Sequence, residues 1–243
     1  HAEASLHSSA PIVPAVLAAA EMTDASGKDV ITACIVGYEI QIRLAKALVP
    51  TAHYDRGYHP TATTGVAAAA AGKVLGLDAD GIESALGIAL SQAAGSMQFL
   101  ADGAWTKRSH VGQAAQNGLT CATLAAEGFK GPKEAIEGKW GFLHSLSPKA
   151  DLDKAAANLG DYWETMALGV KPYPSCRYTH AAMDAIRQLA GEHGISADNV
   201  DSATIGVPET GWKIVGNSDA EKQNPKSIVD GQFSMPFCAA VVL

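Results

Sequence analysis

Four short stretches hold residue types that could do acid–base chemistry on a carboxylic acid. They are His7 in His-Ser-Ser-Ala-Pro, His59 in Arg-Gly-Tyr-His-Pro-Thr, Lys107-Arg108 with His110 in Trp-Thr-Lys-Arg-Ser-His, and Lys171-Pro-Tyr-Pro-Ser-Cys176-Arg177-Tyr-Thr-His180. Each stretch leads into a segment with helical character. A helix N-terminus exposes free N–H groups and a partial positive charge, both of which suit an anion. Lys107, Arg108, Lys171 and Arg177 stand where helix physics favours acids, so a compensating anion is expected. A carboxylate-rich substrate would supply it. Imidazoles beside such cations could move protons near neutral pH on an acid whose carboxylates the cations hold.

Taken singly, each feature also has a structural reading. Alone, His7 and His59 read first as histidines that hydrogen-bond at the start of a helix, ahead of a catalytic role. Lys107-Arg108 reads as a solvated charge pair, and Lys171-Pro-Tyr-Pro as a crossover whose prolines fix the chain path. His110 and His180 fall one turn inside their helices and suit a core role. His53, His144 and His193 lack supporting context. The acidic pairs Asp78/Asp80 and Asp151/Asp153 read as caps and loops. The cysteines, Cys34, Cys121, Cys176 and Cys238, are scattered without a CxxC. That spacing points away from a zinc site, a disulfide framework or an iron–sulfur cluster, and towards a reduced, cytoplasmic compartment. There is no GxSxG, no P-loop and no GxGxxG before a helix.

The elements that must position these residues are mostly helices. Residues 11–21 read as a helix entered through Pro11 and Pro14. Ile31, Ile35, Tyr38, Ile42, Ala45 and Leu48 give residues 28–49 a period of about 3.6 residues, stopped at Pro50. Thr61–Leu75 is alanine-rich and ends at Gly76; Asp78 can cap a helix over about 80–99; Arg108–Glu127 ends at Gly128; a short helix is expected after Pro132. The echo between Ala67–Leu77 and Ala122–Pro132 suggests helical hairpins in one bundle. The texture then changes. Trp163–Val170 and the alternating Val200–Val207 read as strands around an amphipathic helix, Thr179–His193. The expected architecture is therefore mainly α, with a large all-helical domain over 1–150 and a smaller α/β domain over 151–243.

Composition sets the outer bounds. The chain has 243 residues, of which 47% are hydrophobic, with 24 glycines and a net charge of −7. Much of the apolar material is alanine, which favours closely packed helices. The apolar content excludes disorder, and no apolar run approaches the ~20 residues of a membrane helix. The acidic balance argues against nucleic acid as a partner. The chain begins at His1 and stops inside the apolar run Ala239–Leu243, which reads as part of a longer protein.

In combination the blocks resemble the MmgE/PrpD family. The resemblance rests on Gly57-Tyr58-His59-Pro60-Thr61 with Gly65 and Leu75-Gly76-Leu77, and on Leu86-Gly87-Ile88-Ala89 with Ser91-Gln92-Ala93. It continues through Thr106-Lys107-Arg108 with His110-Val111-Gly112, and Gly128-Phe129 with Gly131-Pro132. Lys171-Pro172-Tyr173-Pro174, Cys176-Arg177, Thr179-His180-Ala181 and Phe233-Ser234-Met235-Pro236-Phe237 complete it. It covers nearly the whole chain. The resemblance implies a helical domain and an α/β lid with the site in the cleft between them. It also implies a homodimer, no cofactor and no metal. The implied chemistry is a lyase reaction on a di- or tricarboxylic acid. Dehydration of the 2-methylcitrate kind comes first, with dicarboxylate epimerisation or racemisation, cis-aconitate decarboxylation, or a non-catalytic carboxylate-binding paralogue as alternatives. The implied catalytic set is His7, His59, Lys107 and Lys171, with Arg108, Cys176, Arg177 and His180 as substrate-binding residues. In the decarboxylating branch a histidine stands where this chain has Cys176 and a tyrosine where it has Phe237.

Overall fold

The computed structural model describes residues 1–48, 55–217 and 220–243; Pro50 and His53, singled out above, lie outside them. The chain divides into two units. The first comprises His1–Phe99 and Trp105–Gly169, the second Leu100–Ala104 and Val170–Leu243.

The first unit is helical because its start signals are strong and its side chains small. Helix α1 spans Ser9–Thr23, with Pro11 in its first turn and Pro14 inside. Helix α2 spans Gly27–Ala47 and opens with a reciprocal capping box between Ser26 and Asp29, which satisfies two otherwise orphaned N–H groups. Helix α3, Ala79–Leu90, starts where Asp78 accepts from the Gly81 N–H at 2.9 Å. Helix α4 spans Thr106–Ala126. One core cluster joins Ile12, Ala15, Val16 and Ala19 of α1 to Ala33, Ala67, Ala71 and Ala115. A second joins Leu44, Ala69, Ala85, Cys121, Phe142 and Leu143, with others. Alanines at these contacts let the helix backbones approach closely.

Three expectations change on meeting the structure. Thr61–Leu75 is not one α-helix: a single turn, Pro60–Thr63, leads into a 3-10 helix over Thr64–Lys73. Side chains bond the carbonyls at its start. Thr63 Oγ1 donates to the His59 carbonyl at 3.0 Å and Thr64 Oγ1 to the Pro60 carbonyl at 2.7 Å, and Gln41 Nε2 donates to the Thr61 carbonyl at 3.1 Å. The His59 and Pro60 carbonyls also accept from the Thr63 and Thr64 N–H groups, so the α turn is kept there and the 3-10 pairing begins after it. The helix expected over 80–99 stops at Leu90, and Phe99–Asp102 forms a separate turn. The residues after Pro132 form turns, with Glu134 at φ +52°, and the next helix is Phe142–Leu146.

Two glycines show how tight the packing is. A Cβ on Gly131 would lie 2.1 Å from the Ser84 carbonyl oxygen and 2.9 Å from the Ile88 nitrogen; one on Gly87 would lie 2.5 Å from the Pro132 oxygen. These are backbone atoms of α3 and of the turn beside it, and they cannot swing away as a side chain can. Gly131→Ala should therefore destabilise the chain by at least about 1–3 kcal/mol, read as a lowered urea midpoint with an unchanged slope.

The second unit centres on helix α5, Arg177–His193, which ends at Gly194 in the left-handed region. Helix α6, Met235–Val241, is capped by Ser234, whose hydroxyl accepts from the Phe237 N–H at 3.0 Å. The two segments expected as strands form no ladder among the described residues. Glu164–Ala167 is a 3-10 turn, and Val200–Val207 carries no paired assignment. Alternation along a sequence sets which side chains point together, whereas a strand also needs a neighbour to take its N–H and C=O groups. Among the described residues the one β-bridge outside a strand joins Tyr58 and Ser96. No helix among the described residues is long and apolar enough to cross a membrane.

Candidate active site

His59 is held by its backbone before its side chain is considered. Its N–H donates to the Gly95 carbonyl at 2.8 Å, and its own carbonyl accepts from the Ala62 and Thr63 N–H groups at 3.0 Å each. The bridge at Tyr58–Ser96 and the bond from the Met97 N–H to the Gly57 carbonyl, 2.8 Å, extend this clamp. His59 thus sits as the cap of the Pro60–Thr63 turn, 6% exposed. His7 reaches the same turn: its N–H donates to Thr61 Oγ1 at 3.1 Å. The two sequence-predicted histidines are therefore tied to positions two residues apart.

Helix α4 supplies the cations. It begins without a side-chain cap and without an acid in its first turn, so its free N–H groups and the Lys107 ammonium add positive charge at one end. Lys107 Nζ lies 5.9 Å from the centroid of the Phe99 ring. Arg108 turns elsewhere and stacks on Trp105, 4.8 Å from its ring.

Phe99 is the hub of an aromatic cluster. Its centroid lies 5.9 Å from His59 and 5.9 Å from His110, edge-on to both. The imidazoles of His59 and His110 are 5.7 Å apart at 39°. Sequence reasoning gave His110 a core role, but it stands beside His59. Gly95 makes this approach possible. It adopts φ +125°, and a Cβ there would meet Ala62 Cβ at 2.7 Å and His110 Nδ1 at 3.6 Å. His110 is half-buried, and its Nδ1 is buried without a hydrogen-bond partner. Burial pushes the His110 pKa below that of an ordinary imidazole. The legible signal was the Lys-Arg-Ser-His spacing, which places residues 107 and 110 about one helical turn apart.

The remaining predicted residues lie in the second unit. Lys171 Nζ donates to the Ser175 carbonyl at 2.9 Å. Desolvation lowers its pKa; Cys176 opposes this and Arg177 adds to it. His180 is 2% exposed, with Nε2 at 3.3 Å from the same Ser175 carbonyl. Burial pushes its pKa down first, ahead of the opposing contact with that carbonyl. The Tyr173 ring stands edge-on to His180 at 5.3 Å, and its hydroxyl donates to Asp184 at 2.6 Å. Cys176 caps α5, and its N–H donates to the Gln232 carbonyl at 2.9 Å. Arg177 is exposed at the first turn of α5, which carries no acid. Phe237 is 43% exposed. Among the described residues no group of three or more His, Cys, Asp or Glu is arranged to hold a metal ion.

Residues 1–155 match the MmgE/PrpD N-terminal domain and residues 173–243 the MmgE/PrpD C-terminal domain. The chain is 34% identical over 260 residues to the cis-aconitate decarboxylase of Aspergillus terreus, covering all of this chain and 53% of that protein. It is 30% identical to the cis-aconitate decarboxylase-like protein oryM of Aspergillus oryzae, again over its full length and 54% of the relative. The human cis-aconitate decarboxylase is 32% identical over 74% of this chain and 38% of its own length. The chain thus spans about half the length of the first two relatives.

Proposed function

The chain belongs to the MmgE/PrpD family, and from that premise we propose that the protein is a lyase acting on a di- or tricarboxylic acid through a carbanion stabilised by the substrate's own carboxylate. The observation that carries this reading is the grouping of His59, the backbone tether of His7 and the Lys107 end of α4 within one unit. The leading reaction is loss of water. One histidine takes the proton from the carbon next to a carboxylate, and the electron pair delocalises onto that carboxylate. The other histidine gives a proton to the departing hydroxyl as the C–O bond breaks. Lys107, with the free N–H groups of α4, balances the charge that develops on the carboxylate oxygens. Lys171 is proposed as a second carboxylate ligand, with Arg108, Cys176, Arg177 and His180 in supporting roles. All of the chemistry is assigned to the protein's own groups, with no cofactor.

A second reading has its own support. The curated relatives bear the name cis-aconitate decarboxylase. A related carbanion forms if the bond broken is C–C: carbon dioxide leaves, its bonding pair delocalises through the adjacent C=C bond onto a remaining carboxylate, and a histidine protonates the carbon. Phe237 has no proton to give, which favours dehydration.

The test uses the full-length protein with EDTA present. Citrate and 2-methylcitrate are followed by absorbance of a new C=C bond, and cis-aconitate by release of carbon dioxide. We expect turnover of at least one hydroxy acid, unaffected by the chelator, and a fall in kcat/KM of roughly 10²–10³-fold in Lys107→Ala. Absence of product from every acid tried would remove the lyase reading; carbon dioxide from cis-aconitate alone would select the second.

A further inference from the structure

We propose that His110 is a further substrate-contacting residue, a fixed hydrogen-bond donor through Nε2–H to a carboxylate oxygen of the bound acid beside His59. This rests on the reading of that site given above. The geometry distinguishes the two edges of the ring. The Nδ1 edge is buried against Gly95, where a Cβ would come within 3.6 Å, and has no hydrogen-bond partner. The residue as a whole is only half-buried, so its accessible side is the other edge.

Tautomer chemistry follows from this burial. A neutral imidazole carries one N–H and one lone pair. Placing the N–H on Nδ1 would bury a donor with nothing to receive it, and protonating both nitrogens would bury a charge in the same position. Both are avoided by putting the proton on Nε2. Its ring neighbours carry no negative charge. The His59 ring lies 5.7 Å away, and Phe99 stands edge-on. Lys107, one turn earlier on α4, holds its ammonium 5.9 Å from the same Phe99 ring. Desolvation favours the neutral ring as well. His110 therefore has the character of a neutral electrophile rather than a second base. A neutral donor can hold a carboxylate that is gaining charge without competing with His59 for its proton.

The experiment has two arms on the full-length protein, read without turnover. The first is NMR of the histidine side-chain nitrogens. His110 is expected as the Nε2–H tautomer, still mostly neutral at pH 6.5, the ordinary imidazole value, with its Nε2–H signal moving when tricarballylate is added. The second is calorimetric binding of tricarballylate. His110→Phe keeps a flat ring without a donor and should weaken binding about ten-fold, one charge-assisted hydrogen bond. His110→Gln can place an N–H near Nε2 and should recover most of that loss. An Nδ1–H tautomer, a charged ring at pH 6.5, or unchanged affinity in His110→Phe would overturn this contact while leaving the lyase reading in place. A wild-type protein that binds no tricarballylate would remove both the contact and the carboxylate site, whatever the tautomer. If both variants weaken binding equally, the ring acts by shape and the donor role is overturned.

Discussion

His59→Asn should lower kcat by roughly 10²–10⁴-fold, the range for loss of a general acid or base, while the protein still folds. The two halves of this expectation have separate grounds. The chemical half rests on the imidazole, set beside His110 and Phe99. The structural half rests on the backbone. His59 occupies the cap of the Pro60–Thr63 turn, and its N–H and C=O bonds to Gly95, Ala62 and Thr63 survive any side-chain change. Asparagine is among the favoured cap residues, so it suits this position better than alanine. The check is kcat beside a urea melt on the same preparation. Near-normal turnover in a folded variant would take the acid–base role away from His59.

Glu39→Ala should cost about 3–5 kcal/mol, the effect of leaving a buried charge without its partner, and lower Tm by on the order of 10 °C. Glu39 and Arg43 lie one turn apart on α2, 5% and 4% exposed. Glu39 Oε2 accepts from Arg43 Nε at 3.2 Å, while Oε1 accepts from the Thr165 N–H and hydroxyl at 2.9 and 3.0 Å. Arg43 also donates to the Ala157 carbonyl and, at 2.8 Å, to that of Tyr162. Alanine would strand the guanidinium and two donors of Thr165 together. Glu39→Gln keeps an acceptor for Thr165 and should lose less. A calorimetric melt of the three proteins gives the order wild type, Gln, Ala; equal melts would show that the pair is not coupled to the fold.

What the sequence made legible was local. The apolar period of α2 is written within one element, and the structure follows it to within two residues at each end. His59 and Lys107 flank helix starts as expected, because Pro60 and the polar run before α4 are local signals. His110 was legible as a neighbour of Lys107 but not of His59, for the opposite reason. Its contact with His59 depends on Gly95, in a loop between two helices, and on Phe99, which a longer α3 would have carried off on a helix face. The Val200–Val207 alternation misled because a period reports sidedness and carries no information about a pairing partner. The 3-10 stretch was hidden by its alanines, which are strong α-helix formers.

That stretch has a metric consequence. A 3-10 helix rises about 2.0 Å per residue against 1.5 Å for an α-helix. Over the ten residues of Thr64–Lys73 the difference is about 5 Å, close to one α-helical pitch. The stretch thereby works as a ruler. It sets how far the histidine-bearing turn stands from Lys73, and a rewound, shorter spacer would draw that turn back towards Lys73 by nearly a whole coil.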